Sequence, residues 1–230
     1  MMPNWFRENL NLYQKKIFSM NLFNLINKKS SNEMEIGSQN LSPYWNPEFA
    51  ASLEVWGEGS VWTEIQLLIA GCSGKVLDIA CGTGKVIEIL QIFPKIDAFG
   101  CDISDFLIQK AIQRGISEKR LLVCNATEMS YPDNFFDYAY SIGSLEHFTE
   151  VGLEKCISEC YRVTKRHSFH LVPVSRSGIN EGWKTTDQSF YNNSITWWNE
   201  KFSLFYSDVI VLNSSWNDDL SVGKWFICCK

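Results

Sequence analysis

Short apolar runs alternate with longer amphipathic stretches between residues 75 and 174, a rhythm that predicts strands separated by helices. Residues 76–80 read as a first buried strand. Residues 84–92 suit a helix that stops before Pro94, because proline cannot continue one. A second strand falls at 98–101, and Ser104 is placed to cap a helix running to about Arg114. Further strands are expected at 121–124, 135–142 and 168–174, with a helix at 150–165. Repeated units of this length indicate a parallel sheet covered on both faces.

The flanks are patterned differently. A helical run at 61–69 ends in the Gly71–Gly74 turn. With the polar stretch before it, it makes 36–70 a helical lid or cap ahead of a main domain at 71–230. Residues 1–35 mix aromatic and aliphatic side chains with Asn and Lys and read as a separate N-terminal extension. Residues 1–27 suit an amphipathic contact with a partner or a membrane surface, with packing on the chain's own domain as the alternative. Near the C-terminus Ser194 can cap a helix at 194–202. Strands at 209–212 and 225–229, joined by a polar loop at 213–223, are expected to pair antiparallel.

Composition narrows the function. In 230 residues, 45% are apolar and 20% charged, the balance of a globular domain. The formal charge of −5 ranks nucleic acid low as a partner, since phosphate binding favours a basic face. No run approaches the ~20 apolar residues that cross a bilayer. The eight cysteines follow no secretory leader and form no paired C-x-x-C, so reduced thiols, a cytoplasmic location and no metal site are expected.

The chemistry concentrates at Asp78-Ile79-Ala80-Cys81-Gly82-Thr83-Gly84. Glycines where a strand turns into a helix let backbone pass close under a ligand. The spacing departs from a dinucleotide fingerprint, because Ile87 stands where a third small residue would be, and Val86 rules out a P-loop. Asp78 at the loop entrance would repel a pyrophosphate and attract an ammonium or sulfonium. Asp102, at the end of the second strand, can accept hydrogen bonds from both hydroxyls of a ribose.

These residues, with Gly100-Cys101-Asp102-Ile103-Ser104 and the segments 131–137 and 141–148, resemble the class I S-adenosylmethionine-dependent methyltransferases of the small-molecule, type 11-like group. The resemblance covers 56–174. It implies a Rossmann-like α/β fold: a seven-stranded, mostly parallel sheet with helices on both faces and an antiparallel C-terminal strand. It also implies S-adenosylmethionine as cofactor and methyl transfer to a small-molecule or glycan-type acceptor. Asp78, Ala80, Gly82 and Gly84 would lie along the methionine moiety, Asp102 on the ribose and Ile103 on the adenine. Asn125 stands where an acid usually meets the adenine amine, followed by Ala126 and Thr127. Ser141 would line the cleft at the end of the fourth strand. Lys165-Arg166-His167-Ser168 replaces the usual turn before the fifth strand, which leaves that turn's geometry open. The departures at Asn125 and at this turn keep a second reading in view, an inactive nucleoside-binding module acting through protein partners.

His147, beside Glu146, is the candidate base for deprotonating an acceptor; helix capping or packing is its alternative. His167 and His170 are weaker candidates. Tyr44, Trp56 and Glu58 are candidate lid or substrate residues. The C-terminal aromatics, among them Phe190, Trp198, Phe202 and Trp216, either line a pocket or form core.

Overall fold

The hydrophobic runs build a sheet buried on both faces, which is why its central strands are nearly continuous in apolar residues. A computed structural model describes residues 39–230. The expectations for the extension 1–35, including its contact surface at 1–27, lie outside the described residues. Strands β1 (Gly74–Ile79), β2 (Ile96–Asp102), β3 (Leu121–Val123), β4 (Phe136–Ile142) and β5 (Thr164–Ser175) run parallel. A small hairpin follows, β6 (Trp183–Lys184) with β7 (Phe190–Tyr191). The last two strands, β8 (Asp208–Asn217) and β9 (Ser221–Cys229), complete a seven-stranded sheet of order β3-β2-β1-β4-β5-β9-β8. β9 is antiparallel to both of its neighbours. The fold is thus the Rossmann-like α/β sheet expected from the sequence.

Six α-helices accompany the sheet among the described residues: α1 (Pro47–Ser52), α2 (Val61–Ile69), α3 (Lys85–Leu90), α4 (Asp105–Gln113), α5 (Glu150–Val163) and α6 (Ile195–Ser203). Alternation along the strands sends neighbouring residues to opposite faces. Val76 therefore packs with Val61, Ile65 and Ile69 of α2 and with Tyr138, Phe169 and Trp225. Leu77 packs on the other face, with Leu153, Ile157 and Val163 of α5 and Trp198 and Phe202 of α6. Trp198 and Phe202 are thus core rather than pocket.

Two segments differ from the sequence reading. No turn separates α5 from β5: the strand begins at Thr164, and Lys165–Ser168 lie within it. The register shifts between Phe136 and Tyr138 of the partner strand, so the polar residues occupy an irregular, partly exposed strand start. The polar loop expected at 213–223 shrinks to 218–220, because β8 continues to Asn217. An edge strand tolerates such polar residues on its solvent side.

β1 pairs with β2 on one side and β4 on the other, so chain order reverses there. Ligands of open α/β sheets bind beyond the carboxyl ends of the strands at such a switch point.

Candidate functional site

A cavity of about 440 Å³ opens there. Its floor is the loop after β1. Ala80 turns the chain with φ +59° and Gly82 with φ +54°, and the Gly82 amide donates to Asp102 Oδ2 at 2.8 Å. The Ser104 amide binds the other oxygen of Asp102 at 2.9 Å. Asp102 is in this way fixed at the tip of β2, and Ser104 Oγ caps α4 by accepting from Leu107 N at 3.2 Å. Arg114, at the end of α4, donates to Thr83 O at 3.0 Å and Glu88 at 2.9 Å and also pairs with Glu54. One guanidinium therefore ties the glycine loop to α3 and to the segment after α1.

Asp78 and Asp102 are 3% and 6% exposed. Burial pushes both carboxyls above their ordinary range, and for Asp78 the negative Asp102 adds to the effect. Neither carboxylate is in a salt bridge among the described residues. Two unneutralised acids on one cavity wall fit a ligand that carries positive charge and hydroxyls, because its cation would offset their mutual repulsion. Thr83 lines the same wall, with its hydroxyl buried and without a partner among the described residues. The residues present thus fit S-adenosylmethionine.

The 3-10 turn Leu145–His147 adds Glu146 and His147 to the cavity wall. His147 Nδ1 lies 2.9 Å from the Ser189 carbonyl oxygen, which can only accept, so Nδ1 carries the proton and Nε2 is bare. Burial lowers the His147 pKa to about 4. Burial also raises Glu146 to about 8. Glu146 Oε1 is 3.7 Å from His147 Nε2, too far for a hydrogen bond, and Oε2 is buried with no partner among the described residues. At neutral pH the turn therefore presents an uncharged carboxylic acid beside an uncharged imidazole.

Tyr44, Phe49, Leu53, Trp56, Gln188 and Phe190 complete the apolar side of the wall, with Trp216 and Asp218 from the β8–β9 hairpin. Ser104 Oγ donates to Tyr44 O at 2.6 Å, and Gln188 Nε2 reaches the Tyr44 hydroxyl at 3.4 Å.

Of the residues singled out from sequence, Asp78, Ala80, Gly82, Asp102, Ile103, Asn125, Ala126, Glu146, His147, Tyr44 and Trp56 line this cavity. Four do not. Gly84 (φ +74°) is where α3 meets α4: a Cβ there would strike the Ile116 side chain and press on Ala111. Thr127 donates its amide to Asn125 Oδ1 at 3.0 Å, closing a turn. Ser141 is fully buried, its hydroxyl 2.8 Å from His170 Nδ1. Glu58 is exposed to solvent. His170 itself sits in the core against Phe202, its pKa lowered by burial to about 3. Sequence reasoning missed Thr83, whose place inside the glycine loop was a usable signal, and Gln188, which had none.

Residues 76–167 match a protein family described as a methyltransferase domain. Over 129 residues the chain is 36% identical to the tRNA (carboxymethyluridine(34)-5-O)-methyltransferase of Arabidopsis thaliana, covering 56% of this chain and 27% of that protein. Over 119 residues it is 29% identical to 24-methylenesterol C-methyltransferase 2 of the same plant, covering 50% and 30%. The matched stretch thus spans less than a third of these relatives. Among solved structures, the 1,6-didemethyltoxoflavin-N1-methyltransferase of Burkholderia thailandensis, with 1,6-didemethyltoxoflavin and S-adenosylhomocysteine bound, shares the fold. It has a TM-score of 0.63 at 13% identity, over 87% of this chain and 92% of that one.

Proposed function

We propose that the methyltransferase domain formed by residues 76–167 binds S-adenosylmethionine, and that this chain transfers its methyl group to a small-molecule acceptor. The observation that carries the reading is the pair of buried, unneutralised carboxylates Asp78 and Asp102 at the glycine loop. Asp78, Gly82 and Thr83 would hold the amino-acid end, Asp102 the ribose, and Ile103, Asn125 and Ala126 the base. When bound, the cofactor supplies an electrophilic methyl on a sulfonium, which an acceptor nucleophile takes by in-line displacement.

The chain's own part is to bind, orient and dry the acceptor. Tyr44, Trp56 and Phe190 exclude water from the cavity end, with residues 42–56 serving as the lid. His147 Nε2, neutral and unprotonated at pH 7, is placed to take a proton from an acceptor O–H or N–H, an assistance of about 10²- to 10⁴-fold. That poised pair favours turnover over an inactive binding module.

Relatives act on tRNA and on sterols, by name. A small acceptor is favoured here by the chain's net charge of −5. It is also favoured by a wall in which Lys85 and His147 are the only basic side chains among the described residues, a poor surface for phosphates.

Calorimetric titration with S-adenosylmethionine and S-adenosylhomocysteine tests the cofactor. Micromolar binding is expected from the intact chain, weakened at least about 10-fold in Asp78→Ala and in Asp102→Ala, the loss of one charge-assisted contact. Absence of binding by the intact chain would overturn the reading.

A further inference from the structure

The cavity end beside Glu146 and His147 has a hydrogen-bonding pattern more specific than a general base requires. Ser189 O fixes the histidine tautomer, so Nε2 can only accept. The Glu146 carboxyl sits with Oε1 3.7 Å from that nitrogen without bonding to it, while Oε2 is turned into the protein. Glu146 and His147 both line the cavity, and Oε1 and Nε2, 3.7 Å apart and hydrogen-bonded to nothing among the described residues, are the atoms a ligand can meet. Burial keeps the carboxyl protonated at neutral pH, which makes it a donor. A donor and an acceptor thus stand side by side, both neutral, on a wall whose other members include Tyr44, Trp56, Phe190 and Trp216.

Resting on the methyltransferase reading above, we propose that the acceptor is a flat, uncharged ring system carrying an N–H–C=O edge, a lactam or an imide. Its N–H donates to His147 Nε2, its carbonyl accepts from Glu146, and the aromatic side chains cover its faces. An acceptor bearing a full charge at this edge would have to lose its hydration against two neutral groups, which disfavours it. Simple alcohols and amines offer only one half of the pattern.

The test uses the intact chain saturated with S-adenosylhomocysteine, titrated calorimetrically with 2-quinolone and with N-methyl-2-quinolone. These probes share shape and carbonyl and differ in the N–H. At least 10-fold tighter binding of 2-quinolone is expected. Glu146→Gln, whose amide still donates, should keep that preference. Glu146→Ala should weaken binding of both probes, and His147→Ala should bring the two to within 2-fold of each other. The thermal midpoint of each variant reports that it is folded. Equal binding of the two probes to the intact chain, no binding of 2-quinolone while S-adenosylhomocysteine binds, or an unchanged preference in His147→Ala would overturn the proposal. Failure of S-adenosylhomocysteine itself to bind is a different result, because it removes the methyltransferase reading first.

Discussion

At Ala80 the chain leaves β1 with φ +59°, a region that costs a residue with a Cβ about 1–2 kcal/mol. Ala80 also lines the cavity, so the strain sits on its wall. Ala80→Gly would relieve it, offset by the greater freedom of glycine in the unfolded chain, about 0.4–1 kcal/mol. A net gain of about 0.5–1 kcal/mol is expected, a rise of ~2 °C in thermal midpoint for a chain of this size. A fall in midpoint would show that the Ala80 methyl contributes more through packing than its backbone costs.

Glu146 makes a second residue-scale prediction. Its pKa is raised from 4.5 in the unfolded chain to about 8, so the folded state binds more protons between those values and stability falls as pH rises through them. His147, lowered from 6.5 to about 4, acts oppositely, and its contribution rises with pH up to 6.5. Between pH 6.5 and 8 the Glu146 effect is no longer opposed by that of His147. Thermal midpoints of the intact chain should therefore decline relative to those of Glu146→Gln across that window, and the difference should level off above about pH 8. A difference that does not change with pH would mean the carboxyl is already ionised at neutrality.

At the scale of elements, joints between them are fixed by single polar side chains. Glu64 of α2 accepts from Ser214 Oγ, Ser215 N and Ser215 Oγ at 2.6 Å each and from Trp225 Nε1 at 2.7 Å. Burial alone would raise its pKa, but these donors together lower it. Glu64→Ala leaves the indole N–H of Trp225 unmatched, and a destabilisation of about 1–3 kcal/mol is expected in urea unfolding. An effect within about 0.5 kcal/mol would show that apolar packing of α2 alone holds the joint.

The elements also show what the sequence could convey. Strand positions, the Ser104 and Ser194 caps and the glycine loop were legible because each rests on local chemistry: period-two burial, a side-chain acceptor for free amides, a backbone that only small residues follow. Lys165–Ser168 misled because their polarity is that of a turn, and only pairing with the bulged start of β4 makes them strand. Residues 213–217 misled likewise, since an edge strand needs no apolar outer face. Ser141 looked like a cleft residue because it is near the carboxyl end of β4, yet its side chain points to His170. The alternation of a single strand cannot reveal which polar partner waits on the other side. Gln188 and Ser189 reach the site only through tertiary contacts, and no local pattern announces that.

On the scale of the whole molecule, the sheet and its apolar cores contrast with the segment proposed as lid. α1 buries only Ala50. Its attachment includes separate polar contacts: Ser104 Oγ to Tyr44 O, Trp45 Nε1 to Asp105 Oδ1 at 2.8 Å, Asn40 Nδ2 to Asp187 O at 3.1 Å, and the Arg114–Glu54 pair. Sparse apolar burial and exposed hydrogen bonds place a segment at the low-stability end of a fold. If residues 42–56 and 186–190 must part for ligand to leave, a bound ligand opposes their opening. S-adenosylhomocysteine at 100 times its dissociation constant contributes ~2.7 kcal/mol to the folded state, about 5–10 °C in midpoint. Hydrogen exchange should show amides of 42–56 and 186–190 slowing on ligand addition. Should 42–56 exchange equally fast with and without ligand while the midpoint still rises, the cofactor would bind without help from this segment, and the aromatic wall over the acceptor end would have to be held by the core alone.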